Sequence, residues 1–104
     1  MRYGLFVKLV AKPGQRDAVV TLLLRGVEEM REIGCELYVV SASPDHPDAV
    51  YVMEVWRSKD AHHASLELPA VKQAIAEAMP LLTGEFESTQ LDVAGGLGLP
   101  NQPA

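Results

Sequence analysis

The chain has 104 residues, of which 48% are hydrophobic and 22% charged, and its formal net charge is -5. That length holds one core and leaves no room for a second domain, while the apolar content is too high for a disordered chain. The acidic balance, with no Lys/Arg cluster to reverse it locally, repels phosphate backbones, so nucleic acid is not an expected partner.

Residues 2–11 (RYGLFVKLVA) are rich in Val, Leu and aromatics and end at Lys12-Pro13-Gly14, which reads as a first strand closed by a turn. Lys8 and Lys12 interrupt this apolar opening and no small-residue cleavage pattern follows, so neither a signal peptide nor a membrane partner is expected. A cytoplasmic protein is expected, and the lone Cys35, which has no internal disulfide partner, fits a reducing compartment. Ala18, Val19, Leu22, Leu23, Val27 and Met30 recur at spacings of three and four, which predicts one helix from Gln15 to about Glu32, ended by Gly34.

Residues 35–43 and 49–57 are both strand-like, and Pro44-Asp45-His46-Pro47-Asp48 between them predicts a hairpin turn. Ser58 is an expected N-cap, with Asp60 in the first turn of a short helix over about 59–66. Pro69 opens a further helix through Val71, Ile75, Ala78 and Met79, which Pro80 stops, and 83–93 reads as the last strand. The domain is expected to span 1–94, and the Gly/Pro-rich tail 95–104 to be irregular.

An antiparallel sheet with helices on one face and water on the other alternates apolar and polar residues. These strands do not. On 49–57, Val50, Val52, Glu54 and Trp56 share one face, and Tyr51, Met53, Val55 and Arg57 the other. On 2–11, Tyr3, Leu5, Val7 and Leu9 share one face, and Gly4, Phe6, Lys8 and Val10 the other. Helices cover one face only, so an apolar second face predicts a homodimer; the alternative is strand propensity on a half-wet surface.

Taken together, the strand opening into Lys12-Pro13-Gly14, the run Gly34-Cys35-Glu36-Leu37-Tyr38 and above all Glu54-Val55-Trp56-Arg57-Ser58-Lys59-Asp60-Ala61-His62 resemble the antibiotic biosynthesis monooxygenase family, in its small quinol-monooxygenase-like branch. The resemblance covers residues 3–98, with Pro69, the helix through Met79 and the Gly-rich close in support. It implies an α+β, ferredoxin-like βαββαβ fold, with an antiparallel sheet, helices on one face, and dimerisation into an α+β barrel. It also implies a small electron-rich aromatic or quinol ligand oxygenated by dioxygen with no cofactor: no flavin, haem or metal. Many relatives carry a helical His nine residues after the tryptophan, where this chain has Ser65, and the positions that haem-degrading relatives use are here Val7 and Leu66. Haem degradation is therefore not expected, and His62, three residues before Ser65, would present an imidazole from one turn away.

Five residues carry the site expectation. His62 is the acid/base candidate, because imidazole titrates near neutrality; the competing reading is an exposed helix histidine. Glu54 lies among apolar residues, where a buried carboxylate accepts a substrate proton or else sits at a wet rim paired with Arg57 or a lysine. Trp56 is read as a pocket wall or as core, Tyr38 as a hydrogen-bond donor to substrate or as packing, and Ser65 as a substrate contact. His63 points about 100° away from His62 and is expected in solvent. His63 and Glu67 have i,i+4 spacing but no third helical ligand, so no metal is expected. Cys35 has no partner that would activate it, and no helix follows the closing glycines to hold an anion.

The resulting expectation is a cofactor-independent monooxygenase. The alternatives are a binding or interaction protein that has lost catalysis on the same scaffold, and an isomerase or aldehyde-modifying enzyme. Fold alone does not separate them.

Overall fold

The computed structural model describes residues 1–100. Strands β1 (Arg2–Ala11), β2 (Cys35–Ser43), β3 (His46–Trp56) and β4 (Leu82–Val93) pair in the order β2-β3-β1-β4, every neighbour antiparallel. Helices α1 (Arg16–Leu23) and α2 (Val27–Glu32) join β1 to β2, and α3 (Lys59–Ser65) and α4 (Pro69–Ala78) join β3 to β4 through a 3₁₀ turn at Met79–Leu81. This is the ferredoxin-like α+β arrangement expected from the chain order. No helix among the described residues is long and apolar enough to cross a membrane.

The first crossover departs from expectation. One helix from Gln15 to Glu32 is predicted, and the structure breaks it at residues 24–26. Gly26 adopts φ +73°, a conformation that costs a residue with a Cβ dearly, and serves as the N-cap of α2. Hydrophobic periodicity runs through the break because Leu22 and Met30 are both buried, and an isolated glycine inside a periodic run does not by itself announce a kink.

The β2–β3 turn is also tighter than predicted. It occupies residues 44–45, and β3 already begins at His46. Asp45 N–H donates to Ser43 Oγ at 3.2 Å, closing the turn from inside. Pro47 is tolerated because β1 pairs with β3 only from Ala49 onward, so the missing N–H breaks no ladder bond to β1.

The core lies between the helices and one sheet face. Ala11, Val19, Val50 and Val52 form one buried cluster, and Met30, Cys35, Trp56 and Val71 a second. Ser58 Oγ accepts from Ala61 N–H at 3.1 Å and so caps α3 as expected. Gly34 has φ +120°, and a Cβ there would stand 3.0 Å from the Ala61 Cβ, so glycine is what lets α3 close onto the start of β2.

Among the described residues no helix covers the opposite face. Val39, Met53 and Phe6 stand side by side across β2, β3 and β1, and the Phe6 and Tyr51 rings are 6.4 Å apart. Val39, Phe6 and Leu91 are 44%, 42% and 39% exposed, so this apolar strip faces solvent in the single chain. At one end of the sheet Arg2 pairs with Glu36 and donates to the Pro100 carbonyl, which ties the closing segment back onto the fold. The tail residues 101–104 lie outside the described residues.

Candidate functional site

A cavity of about 570 Å³ opens between the helix-bearing face of the sheet and α1, α3 and α4. All five sequence-predicted site residues line it: Tyr38 from β2, Glu54 and Trp56 from β3, His62 and Ser65 from α3. Strand alternation delivers Glu54 and Trp56 to the same face, and register sets Tyr38 opposite Glu54. The Ser58 cap starts α3 four residues before His62, which aims the imidazole back over β3.

Glu54 is only 9% exposed, so it is not at a wet rim, and among the described residues its ion-pair contact is to His62 rather than to Arg57 or a lysine. Its Oε1 accepts from Trp56 Nε1–H at 2.9 Å. Burial pushes the carboxyl pKa above its ordinary range, and the Trp56 hydrogen bond opposes that rise. His62 Nε2 stands 3.9 Å from the same Oε1, too far for a hydrogen bond. Burial and then neighbouring His63 hold the imidazole pKa below its usual value. Both shifts run against charge, as burial of an acid and of a base does.

The His62 ring is wedged between aromatics, 5.4 Å from Trp56 edge-on and 5.5 Å from Tyr3. Its Nδ1 is buried without a hydrogen-bond partner among the described residues, and such an atom calls for a ligand or water. Tyr38 faces the same enclosure, and burial, then the Glu54 charge, push its phenol well above the ordinary range, so it stays protonated and able to donate.

Two expectations need adjustment. Trp56 is core and pocket wall at once, at 1% exposure. Ser65 lines the cavity, but its hydroxyl donates to the His62 carbonyl, so its proton is committed within the helix and only its lone pairs remain for a substrate. His63 is exposed, as expected. Glu67 pairs with Lys72, and no three His, Cys, Asp or Glu side chains converge into a metal-ligand group among the described residues. Burial pushes the Cys35 thiol up to about 11, the reverse of an activated nucleophile.

Reasoning from sequence missed Tyr3, which register places opposite Trp56, and the cavity mouth at Ile75, Met79 and Phe86. The alternation on β1 already put Tyr3 on the helix-bearing face. Its closeness to His62 depends on strand pairing, which alternation does not specify.

Residues 2–77 match the family model described as antibiotic biosynthesis monooxygenase. The chain belongs to that family. A crystal structure from Chloroflexus aurantiacus J-10-fl that bears the antibiotic biosynthesis monooxygenase name is 42% identical, with a TM-score of 0.79 over 93% of this chain and 99% of that one. A Deinococcus radiodurans structure of the same name is 26% identical, with a TM-score of 0.74 over 95% and 99%. One from Caulobacter crescentus CB15, at 22% identity, shares the fold with a TM-score of 0.81 over 90% and 91%. No curated protein matches the chain. In this member of the antibiotic biosynthesis monooxygenase family, Glu54, Trp56 and His62 stand together on the wall of the cavity.

Proposed function

We propose that this family member is a cofactor-independent monooxygenase acting on an electron-rich phenol or quinol. The observation that carries the reading is a largely buried polar group, Glu54, His62 and Tyr38, gathered at one end of a large, mostly apolar cavity that has an aromatic wall. An aromatic ring packs against Trp56, and Tyr38 donates to a ring oxygen. His62, neutral near pH 7 and backed by Glu54, takes the phenolic proton. The phenolate is then rich enough in electrons to reduce dioxygen directly, inside walls that exclude water. For a phenol with a free ring C–H opposite the hydroxyl, the sum is phenol plus O2 giving quinone plus water. One oxygen atom enters the ring, and the other leaves as water with the two hydrogens that the substrate gives up. The substrate is its own reductant, so the sum needs no external electron donor.

The proposed working unit is a homodimer, in which a second copy of the sheet covers the strip of Val39, Phe6 and Leu91. The cytoplasm suits the buried, unpaired Cys35.

A second reading, a binding protein without turnover, draws on Ser65, whose hydroxyl is committed to the His62 carbonyl where the resemblance leads one to expect a further imidazole. Oxygen uptake on adding a reduced quinol panel to metal-free protein separates the two. One O2 consumed per hydroxylated quinone formed, with one labelled oxygen atom in the product and no hydrogen peroxide, supports the monooxygenase, and saturable binding of the same ring without uptake supports the binder. Products isomeric with the substrate would point to an isomerase instead.

A further inference from the structure

We infer that the ligand is an amphiphile: a phenolic or quinol ring at the Glu54 end, carrying an aliphatic chain that leaves through a mouth between α4 and β4. The inference rests on the reading of the cavity as a ring-binding site and names what else that site must hold.

Size is the first argument. An apolar cavity of about 150 Å³ already accommodates benzene. The cavity here, at about 570 Å³, is nearly four times larger, so a single ring leaves most of it unfilled.

Polarity is the second. Sheet register puts Tyr38 and Glu54 in one row across the sheet, and Val50, Leu9 and Phe86 in a row four residues further along β3. At about 3.3 Å per residue those rows are about 13 Å apart. The largely buried polar atoms of Tyr38, Glu54 and His62 belong to the first row, whereas Val19, Leu22, Leu82 and Phe86 supply aliphatic or aromatic carbon toward the second; Thr83 and Glu85, which also line that end, are exposed, and the Thr83 hydroxyl donates to the Val10 carbonyl. A rigid polycycle bearing oxygens on its far rings would meet no buried polar partner there comparable to Glu54 and Tyr38. A hydrocarbon chain leaves nothing unpaired.

The mouth is the third. Leu66, Ile75, Met79 and Phe86 line the cavity yet are 41%, 45%, 62% and 59% exposed, which marks an open apolar exit. Arg25, also lining the cavity, is paired with Glu77 at 2.8 Å, so this pair presents no net charge to a passing chain.

Trp56 is the only tryptophan and lines the cavity, so its fluorescence reports occupancy without turnover. The experiment is an anaerobic titration with hydroquinone, 2-butylhydroquinone and 2-octylhydroquinone. The expected result is a Kd that tightens by about two- to fourfold for each methylene that becomes buried, levelling off once the chain reaches the mouth. Met79→Glu and Ile75→Glu, both at half-exposed positions that tolerate polar side chains, should reduce the octyl-to-unsubstituted affinity ratio by tenfold or more. Circular dichroism checks that both variants fold. Binding of unsubstituted hydroquinone with no gain from the chain, or a fused tricyclic phenol binding more tightly than the octyl compound, overturns the inference and leaves the ring reading standing. No fluorescence response to any of these compounds overturns both.

Discussion

Trp56 Nε1–H donates to Oε1 of Glu54 at 2.9 Å, a bond between two residues of one strand that face the same way. It is the internal partner that makes a buried carboxylate tolerable, since an unpaired one costs several kcal/mol. It also ties the indole to the carboxyl on the cavity wall.

Glu54 has a pH signature. Its folded pKa is raised above the ordinary 4.5, so between 4.5 and the raised value the native state binds more protons than the unfolded one, and stability falls as pH rises through that window. Glu54→Gln removes the slope and keeps an acceptor for Trp56. In calorimetry the variant should match the parent Tm near pH 4 and exceed it at pH 8. Parallel Tm–pH curves for the two proteins would show that the carboxyl is not buried as described.

His62 acts as a base only when neutral, and its pKa is pushed below 6.5. The kcat/KM for a phenol should therefore be flat near pH 7 and fall on acidification, with an inflection below 6.5. His62→Ala should lower turnover by about 10²–10⁴-fold, the usual weight of a general base, while Trp56 fluorescence still reports ring binding within a few-fold. Unchanged turnover removes His62 from the mechanism.

The open sheet face makes a prediction about mass. Sedimentation of the parent should give twice 11.3 kDa, and Phe6→Glu, which puts a charge in the middle of the apolar strip, should give 11.3 kDa with its circular dichroism retained. A parent that sediments as a monomer at micromolar concentration refutes the dimer.

Ser58 starts the helix that carries His62. Ser58→Ala leaves the Ala61 N–H without its cap and should cost about 1 kcal/mol in denaturant unfolding. It should also raise KM for phenols more than it lowers kcat, because a frayed α3 loosens the imidazole without altering its chemistry. A stability change within 0.3 kcal/mol, roughly the noise of such measurements, would assign α3 its stability from packing alone.

Much of this was legible along the chain. Val50, Val52, Glu54 and Trp56 alternate, so their shared face follows from the two-residue period of a strand. The Ser58 cap and the Pro69 helix start follow from local hydrogen bonding and a fixed φ. The break at Gly26 and the two-residue turn at Pro44-Asp45 were not legible, because a glycine permits several backbone paths, the run Pro44-Asp45-His46-Pro47-Asp48 offers more than one place to turn, and the surrounding packing selects among them.

The sequence by itself determined the order of strands and helices, the apolar character of both sheet faces and the placing of Glu54 beside Trp56, because each depends on residues a few positions apart. Tertiary structure alone decided that Tyr3 and His62 meet, that Tyr38 stands opposite Glu54, and that a cavity with an apolar exit separates α4 from β4. Those contacts depend on strand register and on how closely helices settle onto the sheet, and both are set by the packing of the whole chain at once.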